Sequence, residues 1–524
     1  MKLKKIATVL LAAVFILQGI CFAYADEPAP ENLYRLTPAG TYDLFMNNVD
    51  GYSLFVDKGM YVDMSYSSIC AVLENENKRI EIYKQDTSSI GRTAYVNYSN
   101  QFLKNTIDHY TEFNGEQAIG GRSVTVTAWS RDKLVRIAND KNHYVCIELA
   151  EGRYVYTIFI KANAPIYQLG GYAYLIENFS VSAVIANAYT RTSDPVNVER
   201  RDWNDETKAF FYQYFAESAP LTWGIFEPET AMFEYEKLTT YEQYFEYEFP
   251  ILLNYSEFEN NYQHPNLRQR LDTAYSYGKV LELTLQTGAT EDGGNMVYDI
   301  LKGEYDPFLR DYARVIADFG HPVLFRLGNE MNGDWCPYSS YNTSKDTMIY
   351  KEFYQYVYQF FKNANAQNVI WIWNPNCKSF PNFQWNNELM YYPGDAYVDI
   401  IGMTAYNTGT YYSHIGETWQ EFDELYNPLY NKYCRLFNQP LMITEFASAS
   451  MGGDKEQWVI DMFEDIKGMD RIKVAIWWDG ADWDGVDWTG EKIVARSYMI
   501  DESQQLMSIF KRFLSKDWRE GVFG

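Results

Sequence analysis

The sequence holds few cysteines, few histidines and few basic residues. Its 524 residues include six Cys and five His, with no CxxC pair and no Cys/His cluster. The spacing therefore indicates no zinc site, and we expect neither a metal nor a cofactor. Lys and Arg total 45 against 70 for Asp and Glu, which gives a net charge of −25. A chain this acidic repels phosphates and anionic lipids, which excludes nucleic acid as a partner and favours an uncharged ligand.

Residues 1–25 have the pattern of an export signal. A basic start with Lys2, Lys4 and Lys5 precedes an apolar run over 7–22, and Ala-Tyr-Ala at 23–25 is a small-x-small cleavage site. The competing interpretation is an uncleaved membrane anchor, because the apolar stretch is nearly long enough to span a bilayer. We predict cleavage, a secreted protein and no membrane contact after the signal is removed.

Export permits disulfide bonds, and five cysteines follow the signal. Cys336 and Cys377 are candidates for a disulfide if they lie on neighbouring loops. Buried free thiols are the alternative, and an odd count leaves at least one thiol free.

Residues 26–187 are predicted to form a small α+β domain. Period-two alternation over 122–129 is typical of a strand. Further strands are predicted at 51–56, 80–83, 134–137, 143–149 and 154–160, and helices at 95–103 and 165–178. The role of this domain is unknown, and both a scaffold or partner contact and carbohydrate binding stay open. A polar segment, 188–206, is the predicted linker.

Strands and helices alternate over the C-terminal domain, 207–524. Strands are predicted at 221–226, 251–255, 280–285, 322–327, 369–373, 399–405, 441–446 and 473–478. Helices are predicted at 232–247, 266–277, 296–319, 346–363, 418–437, 455–466 and 504–514, with no more than a turn after the fifth strand. This pattern predicts an α/β fold, a (β/α)8 TIM barrel. The rival is a doubly wound sheet, but residues 224–228 read Gly-Ile-Phe-Glu-Pro instead of a glycine-rich turn.

Two glutamates follow predicted barrel strands. Glu330 lies just past the fourth strand, in the stretch PVLFRLGNEMNGDW, and Glu445 ends the seventh. Side chains at the carboxyl ends of barrel strands share one mouth, and these two strands lie on roughly opposite sides of it. Two carboxyl groups that flank a glycosidic bond are the requirement for glycoside hydrolysis.

Several short motifs accompany this pair in a fixed order. They are Gly303-Glu304-Tyr305-Asp306, Arg326, Asn329-Glu330-Met331-Asn332-Gly333 with Trp335, 371–376, 392–395, 397–399, Tyr406-Asn407 and 443–445. In these motifs the region 222–478 resembles glycoside hydrolase family 26, a β-mannanase-like member of the clan of retaining (β/α)8 glycosidases. The resemblance covers about half of the chain and does not extend to residues 26–190.

The resemblance implies roles for individual residues. Glu330 would be the general acid/base and Glu445 the nucleophile, with Tyr406 beside the nucleophile and Arg326 hydrogen-bonded near it. Charged and polar neighbours would keep Glu445 ionised, while a drier site and a facing carboxylate would keep Glu330 protonated.

Three further residues are candidates for substrate binding. Trp335 and Trp478 are possible sugar-stacking walls, although core positions are nearly as good an interpretation. Asn329 departs from the family's mannanases, which usually carry His immediately before the acid/base. A hydrogen-bond donor at this position contacts the 2-hydroxyl of the sugar and distinguishes its stereochemistry. We therefore consider β-glucan and β-xylan as substrates in addition to β-mannan.

Other polar residues are interpreted as structural or solvated rather than catalytic. These are Glu227, Glu282, Asp479, Asp482 and His321, together with His264 and His414, which lie in predicted loops. The sequence thus predicts a secreted retaining endo-β-glycanase with polysaccharide as its partner. The alternatives are a polysaccharide-binding protein on a glycosidase barrel, and a hydrolase acting on the producer's own exopolysaccharide.

Overall fold

A computed structural model describes residues 32–258, 266–487 and 489–515. The predicted signal, 1–25, and His264 lie outside these ranges. Within them, no helix combines the length and the apolar character that a membrane-crossing helix needs.

The N-terminal region consists of two antiparallel sheets and two short helices. Its strands are β1 (Tyr34–Ala39), β2 (Tyr42–Asn47), β3 (Tyr52–Asp57), β4 (Tyr61–Asp63), β5 (Cys70–Glu74), β6 (Lys78–Asp86), β7 (Tyr110–Ile119), β8 (Arg122–Ser130), β9 (His143–Glu151), β10 (Tyr154–Ala162) and β11 (Ser180–Val181). The sheet orders are β1-β2-β3-β11 and β4-β5-β6-β10-β9-β8-β7. The helices are α1 (Arg92–Ser99) and α2 (Ala173–Glu177).

Local chemistry explains one hairpin and one wrong prediction. Gly120 and Gly121 join β7 to β8 with φ values of 57° and 78°, as a two-residue hairpin turn of type I′ requires.

The predicted strand at 134–137 is wrong. Arg131 pairs with Asp140, whose carboxylate also accepts the Leu134 N–H at 2.7 Å, and this holds the segment as a closed loop.

The C-terminal region is a closed barrel of eight parallel strands, which confirms the predicted fold class. The strands are β12 (Thr222–Phe226), β13 (Ile251–Glu257), β14 (Val280–Gln286), β15 (Val323–Leu327), β16 (Val369–Trp373), β17 (Ile400–Thr404), β18 (Leu441–Phe446) and β19 (Ile472–Trp478). A β20 (Ala481–Val486) and β21 (Lys492–Ser497) hairpin follows.

Helices surround the barrel. They are α3 (Asp205–Phe215), α4 (Glu236–Phe245), α5 (Leu267–Ser276), α6 (Met296–Lys302), α7 (Asp306–Phe319), α8 (Thr347–Asn363), α9 (Phe422–Leu436), α10 (Lys455–Asp465) and α11 (Gln504–Leu514). The connection after β16 holds only short 3-10 turns at Gln384–Asn386 and Glu388–Tyr391. The sequence pattern missed α3, whose phenylalanines join the apolar core that closes the lower end of the barrel.

The barrel interior changes from apolar to polar along its strands. Ile251, Leu324, Ile370, Ile400 and Met442 fill the lower part. Nearer the carboxyl ends, the buried side chains are Thr284, Arg326, Asn374, Thr404 and Glu445. This polar end is the mouth of the barrel, where chemistry is expected in this fold.

The seven-stranded sheet of the N-terminal region packs against the barrel. Tyr83, Trp129 and Phe159 belong to the same apolar core as the barrel's outer layer. Buried charges cross the same interface, because the Lys161 ammonium lies 2.6 Å from Asp346, the N-cap of α8. The two regions therefore pack together through a shared apolar core and a buried ion pair.

Candidate active site

Glu330 lies in the connection that follows β15. Its φ of 56° is in the left-handed region, which costs a non-glycine residue about 1 to 3 kcal/mol unless its surroundings hold it there. The Glu330 N–H donates to the Asn374 carbonyl at 2.7 Å. Its carboxyl group accepts hydrogen bonds from Asn376 Nδ2 at 2.7 Å and Trp335 Nε1 at 3.2 Å. The side chain is thus held at both ends.

Glu445 lies on β18 at an irregular point of the sheet. The register with the neighbouring strands shifts around Thr444, and Thr444 and Glu445 are both buried. The Glu445 carboxylate accepts hydrogen bonds from Arg326 Nη2 at 3.0 Å, from Asn329 Nδ2 at 3.4 Å and from the Tyr255 hydroxyl. Three hydrogen-bond donors thus surround this carboxylate.

Arg326 connects this carboxylate to the rest of the barrel interior. Its Nε donates to Thr284 Oγ1 at 2.7 Å, and its Nη1 donates to Asn374 Oδ1 at 2.8 Å. Nε also lies 2.8 Å from Glu282, a carboxyl group that is fully buried. Since both Glu282 and Glu445 contact the guanidinium, Arg326 lies between two acidic groups.

Burial decides how these acids titrate. Desolvation, opposed by Arg326 and assisted by Glu445, raises the pKa of Glu282 to about 8. The short Arg326 contact alone would suggest an ionised Glu282, but one guanidinium cannot neutralise two buried carboxylates. Burial and the shared guanidinium thus favour the protonated form of Glu282. Desolvation, followed by the charge of Glu445, raises the pKa of Glu330 to about 7.

Asn329 has its amide oriented by two neighbours. Gln286 Nε2 donates to Asn329 Oδ1 at 2.7 Å, and the Tyr338 hydroxyl lies 3.3 Å from the same oxygen. The Asn329 Nδ2 group therefore faces Glu445, where it can donate to a hydroxyl of a bound sugar.

Tyr406 and the two tryptophans also lie at the mouth. Burial and the charge of Glu445 raise the pKa of Tyr406, but the tyrosine that donates to Glu445 is Tyr255. Tyr406 thus lies within the electrostatic influence of Glu445, and its role stays a prediction, while Tyr255 is a donor that the sequence pattern did not single out. Trp478 stacks on Phe226 at 5.1 Å. Trp335 is 51% exposed.

Tyr255 could have been found by counting along its strand. Ile251, Leu253 and Tyr255 alternate in β13, and the first two line the barrel interior. Period-two spacing therefore directs Tyr255 to the same interior, near the carboxyl end. Trp477 and Trp478 follow the same rule, because Trp477 is buried among Phe446, Trp458 and Phe510 on the helix side.

The remaining polar candidates have structural partners. Glu227 caps the turn at Pro228–Met232, and Asp479 accepts the Ile500 N–H at 2.6 Å. Asp482 pairs with Arg496 at 2.6 Å. His321 stacks on Tyr275 at 3.8 Å, and His414 is exposed in a turn.

No disulfide joins Cys336 to Cys377, so that alternative is wrong. The Cys336 thiol instead contacts the Asn329 carbonyl at 3.5 Å, and all five cysteines of the described ranges are free. Over the same ranges, no cluster of His, Cys, Asp and Glu side chains has the arrangement of a metal site.

Comparison with known proteins supports the family resemblance. Residues 282–443 match the sequence model of glycosyl hydrolase family 26, which confirms the resemblance for this part of the barrel. Endoglucanase H of Acetivibrio thermocellus is 31% identical over 216 residues, which are 40% of this chain and 23% of that protein. A mannan endo-1,4-beta-mannosidase of Bacillus subtilis is 32% identical over 108 residues, 20% of this chain and 28% of that protein. These matches span about a quarter of each relative.

One solved structure aligns with the chain at lower identity. A modular endo-beta-1,4-mannanase from Cellulomonas fimi is 16% identical and aligns over 62% of this chain and 77% of its own, with a TM-score of 0.46.

Proposed function

Because residues 282–443 carry the sequence of glycosyl hydrolase family 26, we propose that this protein is a secreted, retaining endo-β-glycanase. Its substrate would be a β-linked polysaccharide such as β-mannan or β-glucan. The observation that carries the proposal is the pair of glutamates at the barrel mouth. One is half-buried with its pKa raised to about 7, and the other is surrounded by three hydrogen-bond donors.

Glu330 has the properties of a general acid/base. A carboxyl group with a pKa of about 7 keeps its proton at neutral pH and can deliver it to the glycosidic oxygen as the bond breaks. The same group, once deprotonated, would activate the water that releases the sugar. Trp335 and Asn376 hold both carboxyl oxygens, which fixes the direction of proton transfer.

Glu445 has the properties of the nucleophile. Arg326 and Tyr255 stabilise its negative charge, and its 4% exposure leaves it accessible only from the mouth. Attack on the anomeric carbon would form a covalent glycosyl-enzyme, which water then hydrolyses with retention. Asn329 Nδ2, which faces Glu445, would donate to the 2-hydroxyl of that sugar.

The relatives bear on the choice of backbone. The longest match cited above is to a protein named an endoglucanase, and the shorter one is to a protein named a mannan endo-1,4-beta-mannosidase. Asn329 in place of the histidine usual in the family's mannanases also points away from strict mannan specificity. We therefore propose β-glucan as a substrate alongside β-mannan.

Release of reducing ends from polysaccharides tests the proposal. The purified protein is incubated with mannan, mixed-linkage glucan, xylan and a crude exopolysaccharide, and we expect release from at least one. Glu445→Ala should abolish turnover, and Glu330→Ala should reduce it by about 10²- to 10⁴-fold, the usual contribution of a general acid/base. Glu464→Gln, a change in an exposed carboxylate of α10, serves as the matched control.

Two outcomes would contradict the assignment. Near wild-type turnover in either glutamate variant would remove that residue from the mechanism. Binding to a polysaccharide without release of reducing ends would support the alternative of a binding protein. Release from exopolysaccharide alone would support a hydrolase acting on the producer's own polymer.

Secretion is tested separately by N-terminal sequencing of the exported protein, for which we expect a start at Asp26.

A further inference from the structure

Helix α1 of the N-terminal domain lies beside two loops of the barrel mouth. Tyr95 of this helix is fully buried and packs edge-on against Phe383, in the loop after β16, at 4.7 Å. Ser99 Oγ accepts a hydrogen bond from Trp385 Nε1 at 3.0 Å. The N-terminal domain therefore reaches the face of the barrel where Glu330 and Glu445 lie.

Tyr98 lies on the same helix but faces outward. It is 40% exposed, whereas Tyr95, one turn earlier, is fully buried. The Tyr98 hydroxyl donates to Asp334 Oδ2 at 2.6 Å. Its ring also contacts Tyr341, with the two ring centres 5.3 Å apart. Tyr98 is thus held in one place while keeping much of its surface open.

The contact with Asp334 connects Tyr98 to the catalytic centre. The residue after Asp334 is Trp335, which is 51% exposed and donates its indole N–H to the Glu330 carboxyl group at 3.2 Å. Phe380, 44% exposed, has its ring centre 5.3 Å from that of Trp335. Exposed rings therefore continue from the acid/base outward to the N-terminal domain.

We propose that Tyr98 and Asp334 form a sugar-binding subsite that the N-terminal domain adds to the cleft, beyond Trp335. The inference rests on the proposed function and assigns to this subsite a neutral, β-linked sugar unit of the polysaccharide chain. It makes the N-terminal domain a contributor to substrate recognition as well as a scaffold.

The chemistry of the pair fits such a ligand. A sugar presents an apolar face of C–H groups, which an aromatic ring covers, and hydroxyl groups, which need acceptors. Binding sites of this type combine aromatic surface with a few placed polar groups. A carboxylate accepts about four hydrogen bonds, so Asp334 has capacity beyond its bond with Tyr98. The net charge of −25 opposes an anionic ligand at the same place.

Comparing a long with a short substrate tests the subsite. The long probe is glucomannan, which contains both β-linked glucose and β-linked mannose. The short probe is an aryl β-disaccharide of the sugar that the enzyme cleaves, too short to extend past Trp335. We expect Tyr98→Ala to lower kcat/KM on glucomannan about tenfold, since one aromatic contact is worth roughly that factor. Its kcat/KM on the aryl disaccharide should stay within twofold of wild type.

Two further variants separate the ring from its hydroxyl and from general effects. Tyr98→Phe keeps the ring and should lose about threefold on glucomannan, because only the Asp334 hydrogen bond is removed. Tyr212→Ala removes another tyrosine that is 50% exposed and hydrogen-bonded to a carboxylate, but lies on α3 at the lower end of the barrel. It should match wild type on both probes.

The outcomes divide clearly. If Tyr98→Ala lowers kcat/KM equally on both probes, Tyr98 acts by positioning Glu330. If the variant matches wild type on both probes, Tyr98 does not contact the substrate. Either result overturns the subsite. If wild type cleaves neither probe and none of the four polysaccharides tested above, the proposed function fails, and calorimetric titration with glucomannan decides the subsite alone. Weaker binding of Tyr98→Ala than of wild type would then support it, and equal binding would overturn it.

Discussion

Replacing Arg326 with methionine would remove the cation shared by two buried carboxyl groups. The Arg326 side chain is fully buried, and the exposed fractions of the Glu282 and Glu445 side chains are 0% and 5%. Methionine fills the space with a flexible apolar chain. Removing one partner of a buried ion pair costs about 3 to 5 kcal/mol. We expect the upper half of that range here, because two carboxyl groups lose their partner at once.

The cost should depend on pH. With Arg326 present, the pKa of Glu282 is raised from 4.5 to about 8, so the folded protein binds more protons than the unfolded chain between these values. The stability contributed by this group therefore falls as pH rises through that window. Arg326 lowers the pKa of Glu282, so its removal raises that pKa further and widens the window. Above pH 8 Glu282 ionises in folded wild type but stays protonated in the folded variant, so the difference between variant and wild type should be larger at pH 9 than at pH 5.

Thermal unfolding followed by circular dichroism at both pH values measures the effect. At pH 9 a loss of about 4 to 5 kcal/mol corresponds to a Tm lower by roughly 10 to 20 °C for a domain of this size. Arg314→Met, which removes an arginine that is 62% exposed on α7, is the control and should change Tm little. A variant as stable as wild type at pH 9, or an equal loss at pH 5 and pH 9, would refute the reasoning.

Three more predictions concern the same site. Because the acid must be protonated and the pKa of Glu330 is about 7, kcat/KM should fall as pH rises through 7; a pH–rate profile flat to pH 9 would contradict this. Tyr255→Phe removes a hydrogen bond to the charged Glu445 and should lower kcat about 10- to 100-fold, measured by steady-state kinetics, with the fold retained. A Cβ at Gly402 would lie 2.6 Å from Asn374 Cβ, so Gly402→Ala should cost about 1 to 3 kcal/mol in urea unfolding; an unchanged midpoint would count against that packing.

The barrel could be predicted because its strands are buried on both sides. An apolar run such as Val369–Trp373, bounded by polar turns, has few alternatives to a strand in a parallel sheet. The predicted helix at 296–319 is less simple, since Gly303 ends α6 with a φ of 92° and Pro307 lies in the first turn of α7. A glycine followed by a proline is a stop and a start signal that the apolar periodicity had concealed.

The two glutamates could be predicted because they lie at the carboxyl ends of strands. Gln286 also ends a strand, but its contact with Asn329 could not be predicted from its position, and neither could the contact of Asn376 with Glu330. The sequence pattern favours a structural role for Glu282, and only the folded barrel shows that it contacts the arginine beside Glu445. Contacts between residues that are far apart in the sequence are what these patterns could not predict.

The role of the N-terminal domain shows that limit most clearly. The connection from β15 to α8 contains three non-glycine residues in the left-handed region, namely Glu330, Ser344 and Lys345. Such conformations persist only when neighbours hold them. At one end, the barrel holds Glu330 through the Asn374 carbonyl. At the other end, the N-terminal domain holds Lys345 and Asp346 through Glu148 and Lys161, at 3.5 and 2.6 Å. The loop that carries Glu330 is therefore fixed by both domains, and neither domain's sequence contains that information by itself.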